Sequence, residues 1–187
     1  MSRRVLAMGK IKFAVLTTAP ANPEAPTATE LNEGIDASCL IRTADFNFSA
    51  QASTTQDVTL LCQKNQANAP TQKQHQSEFT YDLYFDEDGR SVPPAGEISA
   101  EDQHALHAAL REYNEEIYVY ARETSKDSAE LWEAGDEIYM GGSFLTDVPQ
   151  RQNGDDFIKR HAVLLPQIVH DNIEVAEDSD GGGEEGN

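Results

Sequence analysis

The ten residues 77–86 read SEFTYDLYFD, with apolar side chains at every second position: Phe79, Tyr81, Leu83 and Phe85 on one side, Glu78, Thr80, Asp82, Tyr84 and Asp86 on the other. Side chains of an extended strand point alternately to opposite faces, so this stretch requires a sheet with one face buried and one wet. The turn signal EDGR ends the strand. Phe46 and Phe48 alternate in the same way against Asp45, Asn47 and Ser49 within LNEGIDASCLIRTADFNFSAQ. Further strands are expected in KIKFAVLTT (10–18), in EEIYVYARE, and in a pair of apolar-rich runs within GDEIYMGGSFLTDVPQRQNGDDFIKRHAVLLPQ (135–167). The Pro-rich APANPEAPT after the first run cannot continue a sheet, because Pro has no N–H to donate and fixes φ, so a surface linker is expected there.

One helix is expected, in SAEDQHALHAALREYN, where Ser99 and Asp102 resemble a capping-box start and Leu106, Leu110 and Tyr113 are spaced for one stripe. About seven strands and a helix predict a mainly β fold, an antiparallel β-sandwich or partial barrel with one flanking α-helix. The TSKDSAELWEAGD segment, with the only Trp, reads as a loop. Residues 51–76 are rich in Gln, Asn and Thr and predict a long polar connection around one short apolar strand, Val58 to Cys62. So long a connection suggests contact with something.

The 187 residues suit one domain, long enough to bury about two-thirds of the unfolded surface. Charge excludes more than size does: 33 acids against 14 Lys and Arg give a net charge of -19. Such a surface repels phosphate rather than releasing its counterions, which disfavours ordinary nucleic-acid binding. Six of the acids sit in EVAEDSDGGGEEGN, a tail expected to be disordered because it has too little apolar area to bury. No apolar run approaches the roughly 20 residues of a membrane span, and the N-terminal stretch is too interrupted for a signal peptide, so a soluble protein made in the cytoplasm is expected. Cys39 and Cys62 are too few for a disulfide scaffold and read as buried free thiols, with a Cys39–Cys62 bridge as the alternative.

Candidate chemistry is sparse. His104 and His107 stand three apart on the expected helix near Glu101 and Asp102, a spacing that in principle offers two imidazoles to one metal in a metal-dependent enzyme. No His-Glu-x-x-His, Gly-x-Ser-x-Gly, GxGxxG or P-loop pattern is present. The glycines of GGSF around Ser143 read as a bulge or a close backbone approach. No catalytic residue, cofactor or metal is expected, and a soluble acidic binding module is the further alternative.

In order and spacing, LNEGIDASCLIRTADFNFSAQASTT, SEFTYDLYFDEDG, YVYARE, LWEAGDEIYMGGSFLTDVPQ and FIKRHAVLLPQ resemble the major tail tube proteins of long-tailed, siphovirus-type phages of actinobacteria, over about residues 10–175. The chain departs from that pattern at Asp155 and Asp156, in an extension over residues 1–8, after which Met8 is an alternative start, and in an acidic tail over 176–187. The resemblance implies a tube domain over 9–175 and six copies joining their inner sheets into a ring that stacks into a tube for ejecting double-stranded DNA without specific binding. It implies a virion tail location and, as partners, further copies of the chain, a tape-measure protein, a tail terminator and distal tail or baseplate proteins, with no membrane. A tail terminator or a secretion-system tube subunit of the same fold is the alternative within the class. By that analogy Asp45, Asn47, Ser49, Glu78, Thr80 and Asp82 are expected to face the lumen. Gln63, Lys64, Asn65, Gln72, Lys73 and Gln74 are expected to form a loop that contacts the next ring.

Overall fold

The computed structural model describes residues 4–92, 103–152, 154 and 156–178. Eight strands and two helices follow one another as β1 (Ile11–Leu16), α1 (Ala28–Glu33), β2 (Ile35–Asp36), β3 (Ile41–Asp57), β4 (Asn68–Asp82), α2 (Gln103–Leu110), β5 (Glu116–Glu123), β6 (Glu137–Thr146), β7 (Gln150–Arg151) and β8 (Lys159–Glu174). All strand pairings are antiparallel, in the order β2-β1-β5-β6-β8-β4-β3, with β7 also on β8.

The two layers are parts of one open sheet. β8 pairs with β4 in its first part, Lys159 to Val163 against Asp82 to Glu78, and with β6 from Leu164, opposite Thr146, to Glu174. The sheet folds over along this strand, so that β7, β4, β3 and the start of β8 lie against β2, β1, β5 and β6. Between the layers Phe13 and Val15 of β1, Val119 of β5 and Phe144 of β6 meet Phe48, Phe79, Tyr81 and Leu164, and α2 inserts Leu106 and Leu110. Phe13 stands edge-on to Phe46, Phe48 and Phe79 at centroid distances of 5.4, 5.0 and 5.4 Å, a favoured aromatic geometry.

β1, β5 and β6 are covered on both faces, which explains their nearly continuous apolar runs. Their second face packs Ala14, Tyr120 and Ile138 against Leu31 of α1, Trp132 and Val175. The loop carrying Trp132 is held by Arg122, which is fully buried. Its guanidinium donates to the Asp136 carboxylate at 2.7 Å and to the carbonyls of Asp127, Glu130 and Leu131 at 2.8–3.1 Å, and lies 5.2 Å from the Trp132 ring centroid. Burial raises the Asp136 pKa, but hydrogen bonds from Lys126, the Glu133 N–H and Arg122 outweigh it and hold the carboxyl below its ordinary value.

Several sequence expectations change. A second helix, α1, starts where a linker and a strand-like run were expected. Thr27 accepts from the Glu30 N–H while Glu30 accepts from the Thr27 N–H, a reciprocal cap that closes the turn. Among the described residues the strands number eight rather than about seven: the two-residue pairings at β2 and β7 carry no alternation to reveal them, and the strand expected over Val58 to Cys62 does not form. α2 ends at Leu110, so Tyr113 leaves the stripe and is exposed; Phe85 likewise lies past the end of β4 in solvent. Ser99 and Asp102 lie outside the described residues, as do Asp155 and most of the acidic tail. Cys39 and Cys62 are exposed free thiols, not buried ones.

The GGSF glycines mark a close approach and an irregularity, as expected. A Cβ on Gly141 would fall 2.1 Å from the Tyr120 ring, and one on Gly142, whose φ is +146°, 2.0 Å from the Ile168 carbonyl oxygen. The β6–β8 register shifts just beyond, between Ser143 and Phe144.

Candidate functional site

The polar face of the β3–β4–β8 layer gathers all six residues first singled out by alternation. Asn47 pairs with Glu78, while Thr80 sits between Arg42 on β3 and His161 on β8. The Thr80 hydroxyl donates to Asp45, Ser49 donates to Asn47 at 2.8 Å, and Arg42 bridges Asp82 at 2.7 Å and Asp156 at 3.1 Å. His161, unmarked by alternation, stands 3.6 Å from Asp45 and 3.7 Å from Glu78. One expectation fails here: Thr80 is buried rather than wet, because Asp45 and His161 close over it.

Residues 51–76 are not a loop around a short strand. β3 and β4 continue through them as a two-stranded arm, paired from Gln51 with Gln74 out to Asp57 with Asn68. Gln72, Lys73 and Gln74 therefore belong to β4, and Gln63, Lys64 and Asn65 to the turn at the tip. Composition hides the arm because both legs are solvated: Thr54 and Thr71 share a hydroxyl hydrogen bond of 2.8 Å across the strands where an apolar pair would have shown. At its root the arm is latched to the body, with Lys73 and His75 each 3.0 Å from Asp171 on β8. Burial raises the Asp171 pKa, but those two hydrogen bonds outweigh it, and the carboxyl stays below its ordinary value.

Val58 to Cys62 form no strand. They open the turn at the tip, where the Val58 N–H donates to the Ala67 carbonyl at 2.9 Å and the Thr59 hydroxyl accepts from the Ala67 N–H at 2.9 Å. The turn satisfies its backbone while leaving Val58, Leu60 and Leu61 exposed. Neighbouring large apolar side chains in water mark an interaction surface better than scattered ones do.

Among the described residues, two strand edges of this layer have no partner strand. β3 ends the pairing order, and β7 lies outside it with β8 as its partner. Val148, Phe157 and Ile158, on either side of β7, are exposed. Open edges carry unpaired N–H and C=O groups that template pairing with another chain.

His104 and His107 do not share an ion site. The His104 ring bonds the Ser91 carbonyl at 2.8 Å, whereas His107 Nδ1 meets the Tyr81 hydroxyl at 2.8 Å inside the core. Among the described residues, no three His, Cys, Asp or Glu side chains are grouped to hold a metal. Burial, with smaller effects from Arg160, Arg111 and His104, lowers the His107 pKa to about 4, and burial raises that of Tyr81. An unfolded His titrates near 6.5, so below that pH the unfolded chain takes up a proton that folded His107 refuses, until the pH reaches about 4. Stability contributed by neutral His107 is thus complete above pH 6.5 and lost as pH falls from there towards 4. Thermal melts at pH 7 and pH 4.5 are expected to differ more for wild type than for His107→Asn; equal shifts would show that His107 does not carry the effect.

Among the described residues, no helix is long and apolar enough to cross a membrane. A family model described as "Phage tail tube protein" matches residues 1–177. No curated protein matches the chain.

Proposed function

Since the chain belongs to the phage tail tube protein family, a structural component of the virion tail, we propose that six copies close into a ring through the open edges of β3 and β7 and that rings stack into the conduit for double-stranded DNA. The single observation that carries this reading is the pair of open edges on one layer. β7 runs antiparallel to β8, β8 to β4 and β4 to β3, so β7 of one copy would meet β3 of the next antiparallel and continue the sheet. A contact between different edges on successive copies closes into a ring when the rotation divides the circle, and then neither edge of this layer is left. Four strands from each of six copies, spaced about 4.8 Å and tilted about 40°, give a barrel roughly 45 Å across between backbones.

In this ring Asp45, Asn47, Ser49, Glu78 and Asp82 line the inner wall, with Thr80 beneath Asp45 and His161, and the tape-measure protein occupies the lumen before DNA does. The wall is polar, and its cations Arg42 and Lys159 are tied to Asp82 and Asp156, so it offers phosphate little cationic grip; the Debye length of about 10 Å at 0.1 M salt limits repulsion to DNA close to it. The arm, with Gln63, Lys64 and Asn65 at its tip and Gln72, Lys73 and Gln74 along one leg, reaches the neighbouring ring.

Electron microscopy of the purified protein at high concentration, with and without a tail-initiation complex, tests the reading. Uniform tubes with a sixfold repeat are expected from wild type. Phe157→Asp, which charges an exposed apolar side chain beside β7, is expected to leave a folded monomer and abolish both rings and tubes. Isolated rings from wild type that never stack would point to a terminator instead, and monomers that persist with the initiator would refute self-assembly.

A further inference from the structure

β3 joins two apolar features of opposite shape. Its first residues, Ile41, Thr43 and Phe46, form one wall of a surface cavity of about 360 Å³, whose other wall includes Met8, Ile11 and Phe13. Sixteen residues after Ile41 the strand ends at Asp57, beneath the tip that exposes Leu60 and Leu61. At about 3.3 Å per residue the two features lie on the order of 50 Å apart along one strand. A protrusion at one end and a matching recess at the other is the arrangement that propagates without closing when copies are translated along the strand.

Charge points to the same occupant. Residues 51–76 hold Lys64, Lys73 and a single Asp, in a chain whose net charge is -19. The arm is therefore the long segment that the acidic body of another copy does not repel. Asp127, the direct chain neighbour of the cavity residue Ser128, exposes 55% of its side chain. An exposed carboxylate beside an apolar recess complements a tip with leucines flanked by a lysine.

We propose that Leu60 and Leu61 of one copy seat in the cavity walled by Ile41, Phe46, Met8 and Phe13 of a copy in the next ring, with Lys64 towards Asp127 beside it. This inference rests on the tube reading above and adds the receiving surface. Docking removes two exposed leucines and an apolar recess from water together, at about 25 cal/mol per Å² of apolar surface. The contact repeats between every pair of stacked subunits.

The two exposed thiols report on it directly. Cys62 follows Leu61 at the tip, and Cys39 follows Ser38, which lines the cavity. Within one chain they sit near opposite ends of β3, beyond the reach of a short linker; in the docked pair, Cys62 of one copy meets Cys39 of the next. Wild-type tubes treated with a short bis-maleimide are expected to give a ladder of covalent oligomers on a denaturing gel. Cys39→Ser and Cys62→Ser should each form tubes yet run only as monomers. Intact wild-type tubes without a ladder would overturn the docking while leaving the tube reading standing. A dimer band that survives in either serine variant would show a symmetric contact and overturn it as well. Failure of the wild type to form tubes would refute both.

Discussion

Replacing Arg122 with methionine is expected to destabilise the subunit by about 3–5 kcal/mol, the cost of removing one partner from a buried ion pair. The side chain is wholly buried and holds four acceptors: one carboxylate and three carbonyls of the loop that carries Trp132. Methionine fills some of the volume but donates nothing, so those carbonyls lose their partners and Asp136 keeps only Lys126 and the Glu133 N–H. Chemical denaturation of the monomer at pH 7 measures the loss, and a drop below about 1 kcal/mol would mean that water or Lys126 replaces the guanidinium. The pH dependence gives a second check. The Asp136 pKa is lowered on folding, so the stability it contributes is present above the unfolded value near 3.8 and vanishes as pH falls through the lower folded value. Wild type is therefore expected to lose part of its advantage over the variant in strong acid. Arg122→Met combined with Asp136→Leu should recover stability relative to the single change, because no buried carboxylate is then left short of partners.

Excising the arm is expected to abolish tubes altogether while sparing the fold. Gln51 and Gln74 face each other across the hairpin, so replacing residues 52–73 with Asn-Gly closes the strands with a two-residue turn. Removing only residues 64–74 would strand the outer part of β3 without a partner and confuse misfolding with lost stacking. The excision discards the Lys73 contact to Asp171 but keeps that of His75, and every residue of both apolar clusters remains. Melting within a few degrees of wild type, with single rings or monomers by microscopy, is the expected result. Tubes of normal repeat from the excised chain would show that the arm does not stack rings.

What the sequence made legible follows from which forces leave a local trace. The second half of β4 can be read because one face meets Phe13 and Phe48 while the other meets water, and a period of two records that difference residue by residue. The strands β1, β5 and β6 show as short apolar runs because both their faces are covered. Helix α1 left its trace in Thr27 and Glu30, a three-residue spacing obscured by the prolines before it. The arm left none: with both faces in solvent, nothing distinguishes a paired Thr or Gln from an unpaired one. The polar face emerged as a set of alternating residues, but its burial of Thr80 under Asp45 and His161 depends on pairing across 35 and 81 positions of sequence. The open edges are equally non-local, because whether β3 or β7 has a second partner is decided by the order of the whole sheet.

One consequence belongs to β8. Because the same unbroken strand is hydrogen-bonded to β4 at its start and to β6 along the rest, the layer assigned to the inner wall is joined to the outer layer by main chain rather than by side-chain contact alone. A pull on the wall, as when a long polymer slides through, is therefore shared at once with the outer layer, and the two cannot slip past each other without breaking a ladder of backbone bonds. Each subunit would take up load as a single stiff girder, and in the proposed tube flexing would be left to the joints between rings.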